Sequence, residues 1–318
     1  MGLACLQWDG MNRRAWLMMG AAAALWGASY MFIKVALDDL SEGAIVCIRV
    51  ALGAAVLLPL AARAGALGGL RGRWTWLTVV ALVQVTIPFL LITFGENHVP
   101  SALAGILVAS APIFTSVLAV AFDRTEQLRG WAAVGVVIGI VGVALLFGVD
   151  LSGDGDAIAG GLMILLASLG YAAGAMLIKH RLKGIAPVAV AGSNMGVAAV
   201  LTLPLLLASP PTAVPGTDTI VSMLVLGAGG TGIAFLWFYT LIAELGPSRA
   251  SIIAYIAPAF SVLYGALLLD EAVTAGTVAG LALILAGSWL AVSAPPTRAP
   301  VSRSEPSRST APEPVRAR

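Results

Sequence analysis

Hydrophobic residues along this chain fall into long runs that are separated by short polar connections. Each run is close to the roughly 20 residues that a helix needs to cross a membrane. Because lipid offers no partner to an open sheet edge, and no ten-residue stretches of alternating polarity occur, helices are the predicted element. The runs predict an all-α integral membrane protein with ten transmembrane helices, at residues 15–37, 42–62, 74–95, 99–122, 129–149, 157–179, 185–208, 218–242, 247–269 and 273–293.

The fourth and ninth runs share one pattern, an apolar helix with a proline at its centre and a charged cluster at its end. Pro112 corresponds to Pro258, 146 residues later, and the first and sixth runs align at a shift of 145. The chain is therefore predicted to contain two five-helix repeats, residues 15–149 and 157–293. Because five is an odd number, the second repeat starts on the opposite side of the membrane, so the repeats are inverted.

Composition agrees with a membrane protein. Hydrophobic residues make up 59% of the 318 residues and charged residues 11%, with a mean hydropathy of +0.96. A soluble domain contains about a quarter charged residues. The net charge of +2 and the lack of a basic stripe with interleaved aromatics argue against nucleic-acid binding. Two cysteines provide neither a disulfide framework nor a metal site.

Positive charge is distributed very unevenly between the two sides of the predicted bundle. Sixteen of the 18 Lys and Arg residues fall in the termini and in every second connection. The alternate connections hold acids instead, among them Asp38, Glu96 and Glu271. Because basic connections stay in the cytoplasm, we expect a multi-pass protein of the cell inner membrane with a cytoplasmic N-terminus (1–14) and a disordered cytoplasmic tail (294–318).

An ordered, twice-repeated set of motifs runs through the predicted helices. It consists of Trp26-Gly27-Ala28-Ser29 with Lys34, of Arg49, of small-residue runs before Pro112 and Pro258, of the acidic turns after them, and of glycine-rich fifth and tenth helices. In these features the chain resembles the EamA-type members of the drug/metabolite transporter superfamily, over about residues 13–293. The resemblance implies a transporter, often an exporter of amino acids or other small metabolites, with a central cavity lined by helices 1–4 and 6–9.

Only two basic residues lie within the spans away from the cytoplasmic side, and both are candidates for attracting a substrate carboxylate or phosphate. Lys34 is about one turn from the outer end of the first helix and Arg49 about two turns into the second. A charge in hydrocarbon costs about 2.5–3.5 kcal/mol, so each should face the cavity or a partner. Snorkelling to the interface is the alternative for both. Asn194 is the repeat counterpart of Arg49, so the cavity is not charge-symmetric.

No carboxylate lies deep in a span, which argues against an exporter of cationic drugs with one membrane-buried Glu. Glu96 and His98 are predicted at the outer mouth, either as gating residues, with Glu96 pairing Arg49, or as part of a solvated loop. Because His titrates near neutral pH, proton coupling stays open.

Uncharged polar residues at mid-depth complete the candidate substrate site. In lipid such groups need partners, so they either bond neighbouring helices or face the cavity. The predicted substrate-binding residues are Trp26, Ser29, Tyr30, Lys34, Arg49, Gln84, Asn194, Trp237, Tyr239 and Tyr255. Pro112 and Pro258 are predicted to kink their helices and act as paired gating hinges, with tolerated packing prolines as the alternative. The glycine motifs in helices 5 and 10 serve packing within the chain or a dimer contact, which leaves monomer and homodimer open.

A secondary active transporter of small molecules is the predicted function, acting by alternating access. We expect an exporter of amino acids or related anionic or zwitterionic metabolites. Import, or transport of nucleosides, sugars or organic cations, is the alternative. An intramembrane enzyme needs a nucleophile with a base, or a metal cluster, within the spans, and none is visible, so no enzymatic activity, cofactor or metal is predicted. A channel or scaffold is the remaining class. ATP-driven pumping by this chain alone is excluded, because it has no Walker A motif.

Overall fold

Ten helices make up most of the residues that the computed structural model describes, which are 13–122, 130–245 and 252–293. They are α1 (Arg13–Ala36), α2 (Glu42–Arg63), α3 (Trp74–Gly95), α4 in two segments (Ser101–Val108 and Ala111–Phe122), α5 (Trp131–Val149), α6 (Gly155–Arg181), α7 (Pro187–Ala208), α8 (217–245), α9 (Ile253–Leu268) and α10 (Ala275–Ser293). In these ranges nine helices are long and apolar enough to cross a membrane, and α9 is an apolar helix of 16 residues. The predicted all-helical bundle is confirmed. The predicted tail and most of the predicted N-terminal segment lie outside the described residues.

The helices pack in pairs that respect the repeat. α1 contacts α8 and α9, and the equivalent helix of the second half, α6, contacts α3 and α4. α2 packs against its own counterpart α7, and α5 against α10. These contacts of one half therefore recur in the other, as two inverted five-helix repeats require.

Glycines let α5 and α10 approach until their backbones touch. A Cβ atom on Gly287 would meet the backbone of Gly139 and Gly135, and one on Gly135 would meet Ala291 and Gly287. The sequence left these glycines open between packing within the chain and a dimer contact. The structure places them between α5 and α10 of one chain.

Two helices contain a π-helical stretch at repeat-equivalent positions. These stretches are Ala81–Thr86 in α3 and Val225–Ile233 in α8, about 145 residues apart. In a π turn each N–H bonds the carbonyl five residues back, and such turns are frequent at functional sites.

The two prolines differ more than the sequence predicted. A matching kink was expected at each, but α4 is interrupted at Ala109 and Ser110, and Pro112 lies in the first turn of the second segment. A proline is tolerated there because the first-turn N–H has no helical partner. α9 instead continues through Pro258 as one helix.

Serine hydroxyls donate to two main-chain carbonyls at the interruption of α4. The hydroxyls of Ser110 and Ser168 donate to the Leu107 carbonyl at 2.6 and 3.3 Å, and Ser288 donates to the Ala109 carbonyl at 3.1 Å. Because Ser168 and Ser288 lie on α6 and α10, the interruption is built into the packing of three helices.

One end of the bundle collects the five connections that follow α1, α3, α5, α7 and α9. We call it the acidic end. Asp39 accepts hydrogen bonds from the Gly216 amide at 2.7 Å and the Thr219 hydroxyl at 2.6 Å. Glu271 accepts from the amides of Ser101 and Ala102 at 2.7 and 2.8 Å. These contacts join connections that are far apart in sequence, and they hold the acidic end closed. The opposite end, which we call the basic end, includes the connections that follow α2 and α6.

Candidate functional site

A cavity of about 510 Å³ lies in the middle of the bundle. Its lining comes from α1–α4 and α6–α9, with Val292 of α10 at its margin, as the sequence resemblance implied. Such a volume is typical of small-molecule sites. Three lining residues, Thr115, Phe238 and Val292, lie in the halves of their helices that run to the basic end. The cavity therefore extends from the middle of the bundle toward that end.

Most of the predicted site residues lie together in this cavity. They are Trp26, Ser29 and Tyr30 of α1, Arg49 of α2, Gln84 of α3, Asn194 of α7 and the two prolines, Pro112 and Pro258. α1 is thus the main polar wall.

Four of the predicted substrate-binding residues are not placed in the cavity. Lys34 lines a separate pocket of about 290 Å³ at the acidic end, and its ammonium donates to the main-chain carbonyl of Glu96. Trp237 packs against the apolar cluster that α1, α8 and α9 form. The Tyr255 hydroxyl points to the Ser288 carbonyl at 3.5 Å. The Tyr239 side chain lies outside the described residues.

Arg49 is the charged group of the cavity, and it is 7% exposed. Its Nε donates to the Thr231 hydroxyl at 3.0 Å, and its Cζ lies 3.9 Å above the centre of the Phe89 ring. Thr231 donates in turn to the Leu226 carbonyl at 3.0 Å, five residues back in the π stretch of α8. Thr231 is therefore oriented to accept from Arg49.

Most N–H donors of the Arg49 guanidinium have no hydrogen-bond partner among the described residues. The guanidinium carries five N–H donors, and only the one on Nε has a partner among the described residues. No carboxylate of the described ranges lies within 4.0 Å of the Arg49 guanidinium, so Arg49 forms no ion pair there. A buried cation without an anionic partner is unfavourable unless an anion binds to it. The terminal nitrogens thus present the planar pair of donors that carboxylates and phosphates accept from.

The repeat provides a counterpart for each residue of this bonded pair. Asn194 follows Arg49 by 145 residues, and Thr86 precedes Thr231 by the same number. Arg49 and Thr231 are hydrogen-bonded to each other, whereas the Asn194 carboxamide oxygen and the Thr86 hydroxyl have no partner among the described residues. Both side chains are buried, with 3% and 6% exposed. Of these four residues Arg49 and Asn194 line the cavity, and we call them its charged and its neutral pole. Both can still form hydrogen bonds.

Aromatic rings that the sequence did not single out cover much of the cavity wall. They are Phe89, Tyr171, Phe235 and Phe238. Trp26 lies 5.4 Å from Phe235 and 5.3 Å from Phe238 between ring centres, and its Nε1 donates to the Gly230 carbonyl at 3.0 Å. The alignment of the repeats pairs Tyr171 with Trp26, and this signal would have been sufficient to predict Tyr171 as a cavity residue. Phe89 has no such signal, because it lies in an apolar run like any lipid-facing residue.

Glu96 and His98 differ in their surroundings. The solvated loop considered for both is correct for His98, which is exposed, and wrong for Glu96, which is 0% exposed. Neither carboxylate oxygen of Glu96 has a hydrogen-bond partner among the described residues. Glu96 directly follows the last residue of α3, outside the span. Burial raises the pKa of its carboxyl well above the ordinary value, with Lys34 and Arg49 acting in the opposite direction.

The chain was compared with models of known protein families. Residues 13–148 and 158–293 each match the model of the EamA-like transporter family. The chain belongs to this family. The two matches fall on the two halves of the bundle, which confirms the two-repeat architecture.

Curated relatives cover most of the chain. A protein named uncharacterized transporter from Archaeoglobus fulgidus is 26% identical over 88% of this chain and 99% of its own length. An uncharacterized inner membrane transporter, YedA of Escherichia coli K12, is 27% identical over 78% of this chain and 81% of its own. A protein of Salmonella typhimurium named probable amino-acid metabolite efflux pump is 26% identical over 89% and 96%. The EamA-like chain described here is thus a multi-pass membrane protein of a transporter family.

A solved crystal structure has the same fold. It matches with a TM-score of 0.64 at 21% identity and covers 89% of this chain and 97% of that chain.

Proposed function

We propose that this EamA-like protein is a secondary active transporter that exports amino acids or related anionic or zwitterionic metabolites by alternating access. The observation that carries the proposal is the buried Arg49 guanidinium, which lines the cavity without an acidic partner among the described residues. A relative named probable amino-acid metabolite efflux pump supports it, over 89% of this chain.

The two poles of the cavity match the two ends of an amino acid. The terminal nitrogens of Arg49 bind the carboxylate as a pair of charge-assisted hydrogen bonds. The free carboxamide oxygen of Asn194 accepts from the amino group. Apolar and aromatic rings between the poles, such as Phe89 and Tyr171, favour an apolar substrate side chain.

The acidic end is placed outside the cell in this proposal, and both termini inside. The distribution of Lys and Arg supports this orientation. The cavity then extends toward the cytoplasm, and the hydrogen bonds of Asp39 and Glu271 close the outer side. This arrangement is suited to loading a substrate from the cytoplasm.

The test is a counterflow assay in proteoliposomes with three compounds that share one side chain. L-Leucine has both polar groups, α-ketoisocaproate lacks the amine, and isopentylamine lacks the carboxylate. We expect the first two to compete for uptake of labelled leucine, and isopentylamine to have no effect. Arg49→Gln should weaken the binding of leucine and of α-ketoisocaproate by about 10- to 100-fold. Asn194→Leu should weaken the binding of leucine more than the binding of α-ketoisocaproate, because only leucine has the amine.

Thr202→Val is the matched control variant. Thr202 is a buried polar residue of α7 like Asn194, but its hydroxyl bonds the Ala198 carbonyl of its own helix at 2.7 Å. Its substitution should leave uptake unchanged. Counterflow of choline or isopentylamine without any competition by the acids would contradict an anion-binding cavity.

A further inference from the structure

We propose that Glu96 is a proton-binding site that controls anion binding at Arg49. The neutral acid leaves Arg49 free for a substrate carboxylate, whereas the ionised carboxylate opposes it. The inference rests on the proposed function for the identity of the anion, but the proton site itself does not depend on it.

Glu96 lies between the two pockets of the structure. On one side is the small pocket of the acidic end, which Lys34 and Asn97, the next residue along the chain, help to line. On the other side is the central cavity, which Ile92, one turn earlier in α3, and Arg49 line. The carboxyl is thus part of the barrier between the cavity and the acidic end. A change in its charge acts on both sides of that barrier.

Titratable and charged groups approach Glu96 from several elements. They are Tyr30 and Lys34 on α1, Glu42 and Arg49 on α2, His98 on the same connection, and Glu271 just before α10.

Most of these groups are already engaged elsewhere. The Lys34 ammonium bonds the main-chain carbonyl of Glu96, not its carboxylate. Glu42 accepts from the Asn97 side chain at 2.7 Å, and Glu271 is bound to the amides at the start of α4. His98 is exposed. Lys34 keeps further donors, but it lies in the pocket of the acidic end, so Arg49 is the cation on the cavity side that can respond to the charge of Glu96.

Burial favours the neutral form of Glu96 in this conformation. An ionised carboxylate that is removed from water needs hydrogen-bond donors, and neither oxygen of Glu96 has one among the described residues. The closed acidic end therefore favours the protonated acid. Opening of that end admits water to the carboxyl and favours its ionisation.

The sign of the coupling follows from Coulomb's law. A neutral Glu96 leaves the Arg49 charge uncompensated, so an anion binds strongly. As the pH rises through the raised pKa of Glu96, the new negative charge weakens anion binding. By linkage, an anion bound at Arg49 favours the proton on Glu96. Proton and carboxylate then occupy the protein together, and an exported anion leaves with a proton.

The first experiment needs no substrate. Infrared spectra of the full-length protein in detergent should show a carboxylic-acid carbonyl band at about pH 7, well above the roughly 4.3 of a free glutamate. The band should be missing in Glu96→Gln. Glu42→Gln is the matched control, a carboxylate at the same end with a bonded side chain, and it should retain the band. An identical band in wild type and Glu96→Gln would overturn the proton site.

The second experiment measures binding of α-ketoisocaproate from about pH 5 to about pH 9, a range that begins just above the ordinary pKa of a glutamate, about 4.3. Wild-type affinity should fall by about tenfold across the range, the effect of one added charge nearby. Glu96→Gln should keep the acidic-pH affinity throughout. His98→Gln should leave the decline in place, because His98 is exposed.

Proton uptake by the wild-type protein gives a measure that needs no variant. Adding α-ketoisocaproate to weakly buffered protein above the pKa of Glu96 should remove protons from solution, as a pH dye reports. A pH-independent affinity, or no proton uptake on binding, would overturn the coupling. Failure of α-ketoisocaproate to bind at any pH would count against the proposed function, while the infrared band would still decide the proton site.

Discussion

The position of Arg49 in a hydrophobic run predicts that its side chain faces the cavity, but it does not predict which residues it contacts. Its depth in the predicted second helix was sufficient to predict a cavity position, because a lone cation in lipid is unfavourable. Its partners were not predictable, since Thr231 comes from the other repeat and Phe89 from an apolar stretch of α3. Lys34 has the same charge but lies nearer the helix end, and there it bonds a main-chain carbonyl outside the cavity.

Asp39 makes the stability of the acidic end depend on pH. The hydrogen bonds from the Thr219 hydroxyl and the Gly216 amide lower the pKa of its carboxyl. A lowered pKa means that the stabilisation is present above the unfolded value, about 3.9, and is lost as the pH falls through the folded value. We expect the melting temperature of the wild-type protein in detergent to fall below about pH 4, and Asp39→Asn to show a smaller decrease.

Asp38→Asn is the control for this prediction. Asp38 is the exposed neighbour, and no side-chain hydrogen bond of it is found among the described residues. Its variant should follow the wild-type curve. Equal pH dependence in Asp39→Asn and the wild type would show that the bonds of Asp39 do not contribute.

The interruption of α4 shows where helix prediction reaches its limit. Hydropathy predicts a span from the transfer of a whole segment into lipid, and it placed the start of α4 and the end of α9 within two residues. It does not report hydrogen bonds from other helices, such as that of Ser288 to the Ala109 carbonyl, or that of Ser168, whose hydroxyl is shared between Ile164 of its own helix at 3.1 Å and Leu107 at 3.3 Å. The same proline pattern therefore accompanies an interrupted helix at Pro112 and an uninterrupted one at Pro258. The π stretches were missed for the same reason.

The packing of α5 on α10 gives a direct test of the glycine contacts. Gly287→Ala should destabilise the protein by about 1–3 kcal/mol, because the new methyl group would meet backbone atoms of Gly139 and Gly135 that cannot move aside. Gly148→Ala on α5 is the matched control, since nothing lies within 4 Å of a Cβ there. Thermal unfolding in detergent measures both. Equal stability of the two variants would exclude backbone contact between α5 and α10.

The bundle as a whole was largely predictable, and its closed end was not. The repeat, the helix count and the cavity between helices 1–4 and 6–9 follow from spacing and family resemblance. Glu96 was expected at the outer mouth, where a polar residue in a short connection is usually solvated. Its burial depends on how the connections pack on one another, and local sequence carries no signal for that. The two hydrogen bonds of Glu271 to the start of α4 span 170 and 169 residues, and local sequence carries no signal for them either.

Alternating access requires the acidic end to open, and Glu271 is the residue whose loss should favour opening. Its carboxylate binds the first-turn amides of α4, where the helix dipole adds to the attraction. Glu271→Gln loses the charge and one acceptor oxygen, so the open conformation should become more populated. In a background without Cys5 and Cys47, Ala191→Cys in the cavity should react faster with a small, membrane-impermeant thiol reagent applied from the acidic-end side.

Asp154→Asn separates opening from a general loosening of that end. Asp154 also accepts amide hydrogen bonds at a helix start, but both come from its own helix, α6, at 2.9 and 3.3 Å. Its loss should leave the labelling rate of Ala191→Cys unchanged. Equal rates in Glu271→Gln and the parent background, or equal increases in both variants, would mean that the contact between Glu271 and α4 does not hold the cavity closed. A selective increase in Glu271→Gln would mean that one carboxylate, which joins the connection between α9 and α10 to the start of α4, sets the balance between the two accessible states.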